Sequence, residues 1–197
     1  MSQVIAQVRR IAAAEVLTTI PARRILAVAV FAVLTAAGAR LSVWLPGMPV
    51  PVSMQTLVVL LSGLLLGPRL GAASQTAYLA AGAAGLPAFA GGMGIAYLFG
   101  PTGGYLLAFP VAAAVAGFVA GAVRNGGPGR VLVLGAACVL ATATVYAGGW
   151  AQLAALTGDP GAAYRFGVAP FLAGDAAKIV VAVVLAGWLR RRTLGLL

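Results

Sequence analysis

From Ile25 to Leu189 the chain is a series of apolar stretches, each about as long as a bilayer crossing and each closed by a short segment of Pro, Gly or Arg. A spanning helix takes about 20 apolar residues, with about 17 as a lower limit, because the hydrocarbon core is about 30 Å thick and a helix rises about 1.5 Å per residue. Inside hydrocarbon every backbone N–H and C=O must be satisfied within the protein, so only helices or closed barrels can cross. The strict alternation of polar and apolar residues that marks a barrel is absent. The expected fold is an all-α integral membrane protein. Composition agrees, since 62% of the 197 residues are hydrophobic and 8% are charged, whereas a soluble domain carries roughly 25% charged residues.

The punctuation predicts six transmembrane helices, at Ile25–Trp44, Val52–Gly67, Leu70–Leu86, Gly104–Val123, Val131–Leu156 and Val168–Leu189. The second and third are near the lower length limit, and Gly67-Pro68-Arg69-Leu70-Gly71 between them is short enough only for a tight hairpin. The chain reads as a single membrane domain over 1–197, with the bundle over 25–190. Ahead of it, Ile5, Val8, Ile11 and Ala12 recur at helical spacing among Arg9, Arg10 and Glu15, which predicts an interfacial amphipathic helix over 1–24 rather than a cleavable signal, with a disordered tail as the alternative.

A net charge of +10 would point to nucleic acid in a soluble protein. Here it follows the loops. Arg9, Arg10, Arg23, Arg24, Arg69, Arg124, Arg130, Arg190, Arg191 and Arg192 fall on one side of the predicted spans. The alternate loops hold only Arg165, offset by Asp159. Basic residues mark cytoplasmic loops, so both termini are expected in the cytoplasm of a multi-pass protein of a bacterial or archaeal plasma membrane, with membrane lipids around it and no nucleic-acid partner.

Absences narrow the chemistry. The Gly-rich stretch from Gly91 to Tyr105 lacks the Lys-Ser/Thr ending of a phosphate loop and lies on the expected outer side, so ATP hydrolysis is excluded. With no His and one Cys, Cys138, a His-based acid/base pair, a His/Cys zinc site and an intrachain disulfide are excluded as well. No cofactor is expected, and the chain is not read as an enzyme.

Three ionisable residues remain at membrane depth: Arg40, Asp175 and Lys178. Each costs about 2.5–3.5 kcal/mol to insert, so each is expected to face a cavity or a partner. Asp175 and Lys178 are three apart on one helix, on a common face, about 10 and 15 Å below an outer end near Val168. Lys178 is also the one lysine among thirteen basic residues. Arg40 and Gln55 lie in the same outer half, as do Tyr146 and Trp150 at i, i+4 and the loop aromatics Tyr97, Phe99 and Tyr105. Together they predict an outward-open pocket for a small, partly apolar molecule with an amide-like head, because Asp accepts hydrogen bonds and Lys donates them. Arg40, or backbone amides between Thr102 and Tyr105, would hold a carboxylate. The alternatives are a structural Asp175–Lys178 pair with Arg40 reaching the headgroups, a proton relay, and a membrane enzyme. A relay would need further ionisable groups between Lys178 and Arg190, and the sequence has none there; an enzyme would need a second acid near Asp175. Gln75, with Ser74 and Thr76, is expected to make interhelical hydrogen bonds, and the spacings Ala32/Ala36, Gly63/Gly67 and Gly117/Gly121 to serve helix packing.

Five segments in order resemble the motif series of the BioY family, the biotin-specific substrate-binding subunits of energy-coupling-factor transporters: Pro49-Val50-Pro51-Val52-Ser53-Met54-Gln55-Thr56-Leu57, Leu66-Gly67-Pro68-Arg69-Leu70-Gly71, Ala84 to Gly92, Gly100 to Tyr105, and Gly174-Asp175-Ala176-Ala177-Lys178. Met54 stands where Leu or Thr is expected. The resemblance implies a six-helix S-component fold and biotin as the transported ligand, bound from the exterior. It also implies a membrane coupling subunit, the T component, and two cytoplasmic ABC-type ATPases as partners. It implies that Asp175 and Lys178 contribute to the biotin site, that the segment around Gly91 and the loop up to Tyr105 cap the ligand, and that Ala32 and Ala36 form the face meeting the coupling subunit. An S component for another vitamin, a solitary transporter and a homo-oligomer stay open.

Overall fold

A computed structural model of the chain describes residues 20–122 and 129–193. Residues 1–19, most of the expected amphipathic helix, lie outside them, as does Arg124. The first helix, α1 (Ile20–Arg40), starts five residues earlier than expected and ends four earlier. Past Arg40 the chain does not continue to Trp44 as helix. It pairs two short antiparallel strands, β1 (Ser42–Val43) and β2 (Val52–Ser53), with Ser42 opposite Ser53 and Val43 opposite Val52. Pro46, Pro49 and Pro51 between the helices account for the difference, since proline has no N–H to give a helix.

The second helical element, α2, runs from Gln55 to Ala83 but reverses at Gly67, whose backbone is left-handed at φ 80°. The reversal is plain from contacts across it. Gln75 Nε2 donates to Ser62 Oγ at 3.2 Å, although thirteen residues of straight helix would separate them by about 20 Å. Gly67 supplies a conformation that a side chain would disfavour, and Pro68 opens the second arm, where its missing N–H costs nothing. The hairpin expected at Gly67–Gly71 is therefore present inside one continuous element.

An outer loop containing a 3-10 helix, Ile95–Phe99, leads to α3 (Gly103–Gly121). Then follow α4 (Arg130–Thr157), a short α5 (Pro160–Gly167), a 3-10 turn over Ala169–Phe171, and α6 (Leu172–Thr193). The last expected span began at Val168; Pro170 breaks that start into the 3-10 turn, and α6 begins four residues later. Asp175 consequently lies in the first turn of its helix. Helix α5, read from the sequence as loop, is capped by Asp159, whose Oδ1 accepts from the Gly161 and Ala162 amides at 2.8 and 2.9 Å. Among the described residues, five helical stretches are long and apolar enough to cross a membrane: Ala22–Arg40, Gln55–Ala83, Gly103–Gly121, Arg130–Thr157 and Pro160–Leu189.

The Asp159 cap gives a pH prediction. Its carboxyl is held below the usual carboxylate range by the Ala162 amide first, with the Gly161 amide and Arg165 adding to it. A depressed pKa stabilises the folded state above the unfolded value of about 3.9 and loses that contribution as pH falls through the folded value. Asp159→Asn is expected to flatten the acid limb of the melting temperature against pH and to leave the curve above about pH 6 unchanged. An unaltered acid limb would show that the cap carries no such linkage.

Small residues set the helix spacing. Ala112, Ala113, Ala116 and Ala120 are fully buried along α3. Gly63 of α2 lies against the Ala113 backbone, Gly117 against the Gly67–Pro68 turn, and Gly104 against Gly148 of α4. Such contacts let backbones approach closely where lipid offers no hydrophobic drive. Gly63 and Gly117 thus serve packing, whereas none of the described residues lies near a side chain placed at Gly121. A buried polar seam ties α1 to both arms of α2: the Thr35 hydroxyl donates to Gln75 Oε1, and Gln75 Nε2 to Ser62 and Ser74. This is the interhelical role expected of Gln75. Ala32 and Ala36 of α1 are half-buried and pack against the chain's own core, so only part of each is left for a partner.

Candidate functional site

The outer ends of α2, α3, α4 and α6 enclose a cavity covered by the β1–β2 loop and the loop before α3. The cavity volume is about 60 Å³.

One wall is charged. Lys178 Nζ donates to Asp175 Oδ1 at 2.7 Å, to the Ser53 carbonyl at 2.6 Å and to Thr56 Oγ1 at 3.1 Å. The Thr56 hydroxyl donates to Asp175 Oδ1 at 3.2 Å, and the Tyr146 hydroxyl to Asp175 Oδ2 at 2.6 Å. Asp175 and Lys178 are 4% and 9% exposed, so each charge depends on this network. The i, i+3 spacing on α6 brings the pair together, and Thr56 at the start of α2 completes it from the facing helix. Lys178 thereby ties α6 to the end of β2 through Ser53.

The opposite wall is aromatic. Gln55 Nε2 donates to the Tyr78 hydroxyl at 2.6 Å. Phe89 packs edge-on to Tyr78 and stacks on Tyr97 at 5.4 Å between ring centroids. The Tyr97 hydroxyl donates to the Ala90 carbonyl. Tyr105 reaches from α3 to the Gly167 carbonyl at 2.7 Å, and Gln152 of α4 holds the loop before α3 through the Leu98 and Gly100 carbonyls at 2.9 and 2.7 Å. The result is a flat aromatic and aliphatic enclosure with a hydrogen-bonding end at Asp175. An outer groove lined by Trp44, Pro49, Met93 and Pro101 adjoins it, and Tyr97 and Thr102 line both.

Six of the nine residues expected at the ligand line the cavity: Asp175, Lys178, Gln55, Tyr97, Tyr105 and Tyr146. Three do not. Arg40 turns outward and donates to the Pro87 carbonyl at 2.7 Å, because α1 ends at Arg40 and its side chain meets the loop after α2 first. Trp150 sits on the outer side of α4, its Nε1 donating to the Pro160 carbonyl at 3.1 Å. Gly91, with φ 91°, lies beneath the Trp44 ring. Thr56, Ser53 and Phe171 line the cavity without having been expected there. The available signal for Thr56 was its place beside Gln55 in the first turn of a spanning helix, where a hydroxyl one residue from a lining side chain also reaches the lumen.

The cavity and every helix around it lie within residues 9–194, which match the BioY family. The chain belongs to the BioY family. The probable biotin transporter BioY of Pyrococcus horikoshii is 39% identical over 173 residues, covering 87% of this chain and 99% of that one. The biotin transporter BioY of Thermotoga maritima is 35% identical over 165 residues, covering 83% and 94%. The fold resembles that of a solved S-component for biotin from an ECF-type ABC transporter, with a TM-score of 0.77 and 24% identity over 87% of this chain and 93% of that one. As a BioY family member with several apolar spanning helices, the protein is a multi-pass membrane protein whose relatives are named as transporters.

Proposed function

We propose that this BioY family member takes up biotin, binding it from the exterior as the S subunit of an ECF-type transporter, while a membrane coupling subunit and two ABC-type ATPases supply the energy. The observation that carries this reading is the Asp175–Lys178–Thr56–Tyr146 network at the end of an aromatic cavity, in a chain related along most of its length to biotin transporters. Biotin's ureido ring has two N–H donors and one carbonyl acceptor. Asp175 Oδ2 takes one hydrogen bond from Tyr146 and keeps a lone pair for a donor. The ring system and aliphatic tail suit the faces of Tyr97, Tyr105 and Phe171. Gln55 offers a second amide hydrogen towards the same lumen.

The reversal at Gly67 supports six crossings, counting the two arms of α2 separately. The loop arginines Arg23, Arg24, Arg69 and Arg130 all fall at ends of helices on one side under that count, which supports cytoplasmic termini. Lacking any nucleotide-binding motif, the chain depends on partners for ATP hydrolysis, and the half-exposed outer face of α1 at Ala32 and Ala36 is the docking face proposed for the coupling subunit.

Native mass spectrometry of protein purified from biotin-containing medium is expected to show one biotin per chain. Added desthiobiotin should displace it and thiamin should not. Protein that emerges empty and takes up no biotin, or biotin displaced equally by thiamin, would overturn the assignment.

A further inference from the structure

Apolar burial alone does not hold the loop that covers the cavity. None of the residues in its 3-10 segment, Ile95–Phe99, is buried, and Ile95 and Phe99 are well exposed. A segment with so little buried area opens easily unless specific bonds fix it. At its start the Gly94 amide donates to the Gly82 carbonyl of α2 at 2.8 Å. At its end both amide hydrogens of Gln152, on α4, are engaged, with Nε2 donating to the Leu98 and Gly100 carbonyls at 2.9 and 2.7 Å.

Glycines bring Gln152 within reach. Gly104 lies against the Gly148 backbone, which sets α3 on α4 one turn from Gln152. A Cβ on Gly103 would collide with the Leu98 carbonyl oxygen and with Gln152 Nε2. Gln152 itself lines neither the cavity nor the outer groove. The two carbonyls it holds lie between Tyr97 and Thr102, the residues that line both spaces.

We infer that Gln152 is a positioning residue: by tethering Leu98 and Gly100 to α4 it holds Tyr97 and Thr102 between groove and cavity, and so sets how fast the transported ligand passes from one to the other. The ligand displaces this segment on the way in and on the way out. The strength of the tether therefore enters both rates and largely cancels from the affinity. The inference rests on the biotin reading for the identity of the ligand and adds a residue, remote from that ligand, that governs its exchange.

Gln152→Met keeps the length of the side chain and removes both donors, whereas Gln152→Glu sets a carboxylate against two carbonyls. The first measurement is hydrogen exchange of the ligand-free, detergent-solubilised protein. The bonded amides of Tyr97, Gly100 and Gly103 are expected to exchange about tenfold faster in Gln152→Met, and faster again in Gln152→Glu. Unchanged exchange in α2 and α6 reports an intact bundle. With radiolabelled biotin, entry and exit should both rise about tenfold in Gln152→Met, while the dissociation constant stays within about threefold. Trp150→Phe, which alters the same helix outside the cavity, should change neither rate. The inference fails if exchange at these amides is unaltered, if exit is unaltered, or if exit rises and entry does not. It fails too if Trp150→Phe speeds both rates as much as Gln152→Met. An unaltered protein that takes up no biotin would instead overturn the biotin reading, and the exchange measurement, which uses no ligand, still decides the tether.

Discussion

Lys178→Met is expected to abolish biotin retention and to destabilise the protein by about 3–5 kcal/mol, the usual cost of removing one partner of a buried ion pair. The side chain it replaces is 10% exposed, and that of its partner Asp175 is 6% exposed. Methionine fills similar volume and donates no hydrogen bond, so Asp175 would be left with only Thr56 and Tyr146 as partners. The Ser53 carbonyl would also lose its donor, freeing the end of β2 from α6. The double variant Asp175→Asn with Lys178→Met separates the two roles. With both charges gone, most of the lost stability should return, because a neutral amide can still bond to Thr56 and Tyr146. Biotin binding should not return, since the carboxylate acceptor is absent. Thermal melts and calorimetric titration of the three proteins decide it. If the double variant is as unstable as the single one, the pair is not the electrostatic unit described here. If either variant still retains biotin, the pair is structural only.

Gly63→Val is expected to destabilise the bundle by about 3 kcal/mol or more and to leave little monodisperse protein after extraction. A Cβ at this position would collide with the Ala113 carbonyl oxygen and crowd the Ala116 methyl group. The obstruction is backbone in the middle of α3, so relief requires moving a whole helix rather than turning a rotamer. The contact between α2 and α3 is the most extensive between any two elements, so loosening it exposes the polar seam of Ser62 and Gln75 as well. Gly121→Ala provides the contrast, since none of the described residues lies near that position; it should melt at or slightly above the temperature of the unaltered protein. Fluorescence-monitored size exclusion after stepped heating measures both. Equal behaviour of the two glycine variants would refute close packing at Gly63.

Much of this architecture was legible in the residues. Apolar length is a one-dimensional quantity, so the positions of the spanning helices followed to within a few residues wherever no proline intervened. The hairpin at Gly67-Pro68 followed because glycine and proline impose local backbone geometry whatever surrounds them. Prolines at 46, 49, 51 and 170 displaced helix ends through the same local chemistry, where the apolar pattern alone continued the helix. Helix α5 was missed because its eight residues are too few to show periodicity, and its signal, the Asp159-Pro160 start, reads equally as a turn.

The site divides along the same line. An i, i+3 acid and base on a spanning helix must share a face, so the Asp175–Lys178 pair was determined by the sequence alone, as was the membrane class. Which groups meet that pair from other helices was decided only by the tertiary structure. Thr56 and Tyr146 converge on Asp175 from positions 119 and 29 residues away, while Arg40, equally charged and expected at the same depth, turns to Pro87. Spacing along one helix fixes direction about its axis, but the partner a side chain reaches depends on how neighbouring helices are rotated and where each one ends. In this protein those rotations rest on glycine contacts such as Gly63 with Ala113 and Gly104 with Gly148, whose effect exists only once the helices are packed.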